Sequence, residues 1–116
     1  IHEVLQESID IEYRNLQDGK ISPSEYIIIT EVTSSQVTTQ ISEFVTSKPS
    51  EKWQESYISY MNGMKKFNEY IIETKVLANQ IENESEDSKI LETMDKIESI
   101  KVESIEYIKK SNELRP

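Results

Sequence analysis

The sequence predicts an all-α protein, an up-down-up-down antiparallel four-helix bundle, on three observations. Gly19, Pro23, Pro49 and the polar run Asn83-Glu84-Ser85-Glu86-Asp87 divide the 116 residues into four pieces of helical length. The third piece keeps a heptad seam without a slip: Trp53, Tyr57, Tyr60, Met64, Phe67, Ile71, Thr74, Ala78 and Ile81 lie alternately four and three apart. That spacing lays one apolar stripe along a helix that packs at a shallow angle. The connections are short, so consecutive helices run antiparallel.

Helix 1 is expected over about 3–18. Leu5, Ile9, Tyr13 and Leu16 repeat at helical spacing, and Gly19 follows as a stop that adopts the left-handed conformation at little cost. Helix 2, about 23–46, is the contested element. Three consecutive isoleucines and many Val and Thr residues favour strand by composition. Its start signals are nevertheless helical. Ser22 and Glu25 form a capping box, Pro23 occupies the first helical position, and Ile21 and Tyr26 suit a hydrophobic staple. Stepping about 100° per residue from Tyr26 brings Ile29, Thr30, Thr33, Val37, Ile41 and Phe44 onto one face. Strand alternation fails over the same residues. The chain holds 17 Ile against 5 Leu, so isoleucine is its default aliphatic residue and a weak strand signal.

Helix 3 is expected over about 50–82, continuous through Gly63 at a cost of about 1 kcal/mol and open to a kink there. Helix 4, about 86–112, starts from Ser85 as N-cap, with Glu86 and Asp87 in its first turn and Lys109 and Lys110 in its last, as the helix dipole favours. Glu92/Lys96 and Glu106/Lys110 suit i,i+4 pairing, and Ile90, Met94, Ile97, Ile105 and Ile108 give the apolar face. Helix 3 exceeds helix 2 by about 13 Å at 1.5 Å per residue. The tip around the helix 3–4 turn is therefore expected to overhang the helix 1–2 hairpin, unless helix 3 kinks.

Composition excludes several functions. Ile, Leu, Val and Phe make 30 of the 116 residues, enough for a core. A net charge of -9 repels phosphate backbones, so nucleic acid is not an expected partner. No apolar run is long enough to span a membrane. There is no cysteine, and His2 is the single histidine, which removes thiolate and histidine-based metal sites and leaves only His2, at an end expected to fray, as a base for a nucleophile. With two glycines there is no phosphate-binding loop. The expectation is a protein that is not an enzyme, with no cofactor, no metal and no catalytic residue. His2 is expected to be a solvated terminal residue, and the acidic turn at 83–87 a solvated turn.

Two groups of residues remain as candidates. Phe44, Trp53, Tyr57, Tyr60 and Tyr107 fall at one pole and could form an aromatic ligand pocket, although ordinary core packing is the favoured explanation. Ile72, Val76 and Ile100, with Leu77, Ile90 and Leu91 at the overhanging tip, exceed what one apolar stripe on helices 3 and 4 would cover and suggest a partner surface, with a homodimer as one use. Ile28 and Val32 also lie off the main face of helix 2. The hydroxyl run Thr30, Thr33, Ser34, Ser35, Thr38, Thr39 and Ser42 suits a solvated face whose hydroxyls bond the helix's own carbonyls, or a polar groove.

The chain opens at Ile1, inside a helical pattern and without an initiator Met, and is expected to be a fragment of a longer protein. The bundle places both ends at one pole. This architecture resembles the periplasmic four-helix sensors of chemoreceptors and sensor kinases, at the level of the fold over the whole chain and with no matching motif. The resemblance implies an extracytoplasmic, ligand-binding sensor domain of a membrane signalling protein. The alternative is a structural or interaction bundle that associates with itself or with a protein partner.

Overall fold

The computed structural model describes residues 2–116, which form an elongated bundle about 50 × 24 × 18 Å. Four α-helices follow in order: α1 (His2–Gln17), α2 (Pro23–Thr46), α3 (Gln54–Glu82) and α4 (Asp87–Glu113). A single 3₁₀ turn, Glu51–Trp53, precedes α3. The all-α four-helix bundle predicted from the sequence is the observed fold.

Local chemistry explains most of the boundaries. The Ser22 side chain accepts from the Glu25 N–H at 3.1 Å, Pro23 follows in the first turn, and α2 starts as its capping box dictates. The α1 end closes with Gly19 at φ 71, with the Gly19 N–H bonding Leu16 O and the Lys20 N–H bonding Asn15 O. This is the paired pattern of a Schellman motif. The α3 end repeats it with Glu84 at φ 53 in glycine's place, and the Ser85 N–H reaches Gln80 O at 2.9 Å. A left-handed residue with a Cβ costs about 1 kcal/mol here. Ser85 is thereby used to close α3. It is not the cap of α4, whose N-cap position falls one residue later at Glu86 and makes no side-chain cap.

The phase predicted for α2 is observed: Tyr26, Thr30, Thr33 and Val37 are buried, and Ile28 and Val32 are exposed. Thr30, Thr33 and Thr39 each bond a carbonyl of their own helix, and Ser34 donates to Asn68 of α3 at 2.6 Å. The main core joins Ile9, Val37, Met64, Phe67, Ile71 and Ile97 from all four helices. Leu16, Tyr26 and Ala78 form a second cluster near the turns.

The expected overhang does not occur. Ser24 at the start of α2 hydrogen-bonds Glu82 at the end of α3, and Ile81, Tyr13 and Ile21 pack against the same cluster of Leu16, Tyr26 and Ala78. The α1–α2 and α3–α4 turns are therefore level. Part of the reason is that α3 starts at Gln54, because the 3₁₀ turn uses up residues assigned to helix from the sequence. The extra length lies at the opposite pole. There α1 starts at His2, beside Phe67, while α3 and α4 run on to Ser56 and Ser111. α3 passes through Gly63 without a break in helix.

α3 and α4 are joined by small residues over that extension. Ser56 and Ser111 exchange hydroxyl-to-carbonyl bonds at 2.8 Å each. Ser59 donates to Tyr107 O at 2.8 Å, and Ser104 donates to Gly63 O at 2.9 Å. Gly63 is needed because a Cβ there would lie 2.6 Å from Ile108 Cδ1 and 3.2 Å from the Ile108 nitrogen. Lys96 pairs across this hairpin with Glu73 at 3.5 Å instead of with Glu92 along its own helix. Ile105, assigned to the apolar face of α4, is exposed.

α1 is held differently. Among the described residues no Cα atoms of α1 and α4 come within 8 Å. Asp10 bridges the gap, accepting from the Tyr70 hydroxyl at 2.7 Å and pairing with Lys101 at 3.4 Å. Burial and the bond to Asp10 push the Tyr70 hydroxyl well above its ordinary value, so it donates at every physiological pH. Contrary to expectation, His2 is not solvated. The residue is 5% exposed, and its ring sits edge-on to Phe67 at 5.0 Å and has no hydrogen-bond partner for either nitrogen among the described residues. Burial holds this imidazole below its usual value, which keeps it neutral in the fold.

Candidate functional site

A concavity of about 550 Å³ lies at the pole where α2 ends and α3 begins. Phe44 and Val45 of α2 form one wall, and Tyr57, Ile58 and Met61 of α3 form the other. The linker residues Ser47, Lys48 and Pro49, with Gln54, close the rim. The local sequence makes this opening. Ser47 ends α2 in extended backbone, and its N–H satisfies the carbonyls of Glu43 and Phe44. Pro49 cannot extend the helix, so the chain crosses to α3 without filling the gap. Val45 is 63% exposed and Ile58 is 55% exposed, on opposite sides of the cleft.

The aromatic residues singled out from the sequence divide into two sets. Phe44, Tyr57 and Tyr60 come together, with ring centroids 5.2 Å apart for Phe44–Tyr57 and 4.8 Å for Phe44–Tyr60. Phe44 and Tyr57 line the cleft. Burial raises the Tyr60 hydroxyl above its usual value. Trp53 and Tyr107 do not join them. Trp53 sits in the 3₁₀ turn and is half exposed, and Tyr107 faces a shallower cleft between α3 and α4 with Ile58 and Leu114. Heptad phase placed Trp53 on the seam, but the 3₁₀ turn rotates it off.

The suggested partner surface divides as well. Ile72, Val76 and Leu91 are exposed. Leu77 and Ile100 are core residues, 1% and 9% exposed, and Ile90 is packed against the core. Leu77 and Ile90 were expected to be exposed on an overhanging tip, which does not form, and Ile100 belongs to the main core.

Val45, Lys48, Ile58 and Met61 were not recognised from the sequence. The phase argument that isolated Ile28 and Val32 would also have isolated Val45 and Ile58, since both lie off the seams and flank the same linker.

Two other grooves are more polar. One, about 400 Å³, runs between α2 and α3 and is lined by Thr30, Ser34, Ser35, Thr38, Ile72 and Lys75. The other, about 380 Å³, is the α1–α4 gap at Tyr70 and Lys101, where burial and Glu98 push the Tyr13 hydroxyl up to about 12. Among the described residues no group of three His, Cys, Asp or Glu side chains is placed to hold a metal ion, and no helix is long and apolar enough to cross a membrane. Comparison with known protein families, curated proteins and solved structures gave no match.

Proposed function

We propose that this chain is a non-enzymatic ligand-binding bundle, of the sensor type, whose site is the cleft between the end of α2 and the start of α3. One observation carries the proposal: an open, mostly apolar concavity of about 550 Å³ with aromatic side chains at its base. That is the size and lining of a small-molecule site. An occupant would touch α2 and α3 together. The α3–α4 hairpin is stitched by four serine bonds, whereas α2 is rich in β-branched residues and depends on its neighbours for stability. Binding would therefore clamp α2 against a stiffer pair, and a shift of α2 is the natural output for a signal.

The test uses N-phenyl-1-naphthylamine, an uncharged apolar fluorescent probe. Its emission should rise with the wild-type chain and stay low with Ile58→Asp, whose stability should change by no more than about 0.5 kcal/mol because the side chain is exposed. Equal emission from the two proteins at equal stability would remove the cleft as the site.

A second reading is self-association through α3 and α4, favoured by the exposure of Ile72, Val76 and Leu91. Sedimentation at increasing concentration distinguishes it, since a mass that stays at one chain excludes the dimer.

A further inference from the structure

The cleft differs from the rest of the surface in charge. The chain carries 22 carboxylates, yet none lines this cleft, and its single charged lining residue is Lys48. Ser47 and Gln54 complete the polar rim. Among the described residues, none of these three side chains makes a hydrogen bond or ion pair. α3 begins at Gln54 on the cleft wall, and Trp53 at its N-cap position supplies no side-chain cap. The 3₁₀ turn carries the helix start back to Glu51, and the Gln54 N–H bonds Glu51 O, so Lys48 is the source of positive charge in the cleft lining. Below this rim the walls are Phe44, Val45, Tyr57, Ile58 and Met61, all apolar or aromatic.

An apolar cleft whose lining also holds unused donors and one cation matches a ligand with an apolar chain and an anionic head. We propose that the cleft binds a single-chain anionic amphiphile of the fatty-acid class, with its chain along Phe44, Ile58 and Met61 and its carboxylate at Lys48. The inference rests on the cleft being the binding site. It adds the sign of the charge and the linear apolar chain, which the volume alone does not specify. Elsewhere on a surface of net charge -9 such a ligand meets repulsion, so a carboxylate-free concavity with a cation also selects for it.

The experiment displaces the fluorescent probe from the full chain with three decyl compounds below their micelle concentrations: decanoate, decanol and decyltrimethylammonium. Decanoate should bind most tightly and the ammonium compound least. Lys48→Glu should weaken decanoate roughly five- to tenfold, as expected for an exposed ion pair turned into a repulsion, and leave decanol within about twofold. Ile58→Asp should weaken all three. Equal affinities for the three compounds, unchanged by Lys48→Glu but lost in Ile58→Asp, would overturn the anionic-ligand inference and leave the cleft as the site. Displacement by none of them, or displacement indifferent to Ile58→Asp, would overturn both. Lys48 is exposed, and a thermal melt of each variant separates lost binding from lost fold.

Discussion

Gly63→Leu is expected to destabilise the protein by about 3 kcal/mol, at the upper end of the cost of overpacking a filled core. By helix propensity alone the substitution should help, since glycine costs about 1 kcal/mol inside a helix. The packing decides the sign. Even a methyl at Gly63 would lie 2.6 Å and 2.9 Å from two carbons of Ile108, with the Ile108 backbone nitrogen at 3.2 Å. The side-chain end of Ile108 can turn aside, but the backbone cannot, so a leucine has to part α3 from α4. Parting them breaks the bond from Ser104 to Gly63 O and strains those at Ser56, Ser59 and Ser111, all of them buried residues. Buried hydroxyls and carbonyls that lose their partners add to the cost. Urea unfolding followed by circular dichroism measures it. A variant as stable as the wild type would show that the close seam is not what holds this end together.

Phe67→Ala should cost about 3–5 kcal/mol, the usual loss for a fully buried phenylalanine. Phe67 is 1% exposed and touches elements that have few other ties. The His2 ring packs edge-on against it, and Tyr70, the donor to Asp10, stacks 6.1 Å away. Truncation removes the surface on which α1 begins and loosens the residue that tethers its middle. α1 has no close backbone approach to α4 to fall back on. Amides of α1 should therefore exchange faster before those of α3 and α4 do, in addition to the global loss. A loss below about 1 kcal/mol, or exchange that rises equally in all helices, would mean that α1 is anchored elsewhere.

Much of this fold was legible from residue spacing. α2 shows why: its composition favours strand, but three start signals and a 100° phase agree on helix, and tertiary burial of Tyr26, Thr30 and Val37 outweighs local preference. The seam of α3 was legible from Met64 to Ala78 for the same reason. What spacing could not show was a second buried face. Ser56, Ser59, Ser104 and Ser111 look like surface residues in sequence, and only the partner helix reveals that their hydroxyls bond its carbonyls. Gly63 was legible as a weak point in a helix but not as a point of close approach. His2 was assigned to solvent from its place near the end of the described chain, and its burial comes from Phe67, a residue far along the sequence. Ser85 was assigned to the wrong helix because the turn that uses it requires Glu84 in a left-handed conformation, which residue type does not suggest.

The candidate site was half legible. Phe44 and Tyr57 were placed together by phase at one pole, and the structure adds the linker that leaves the cleft open and the lysine at its rim. Trp53 and Tyr107 fell outside because a 3₁₀ turn and the α4 register rotate them away.

The central claim is that this cleft, at the junction of α2 and α3, is where the protein binds. The most direct measurement is an amide chemical-shift map of the intact chain titrated with decanoate. The cleft predicts shifts confined to Phe44 through Lys48 and Gln54 through Met61, with slower exchange at the end of α2. Shifts centred instead on Tyr70 and Lys101 in the α1–α4 groove, or no shifts at all, would contradict it.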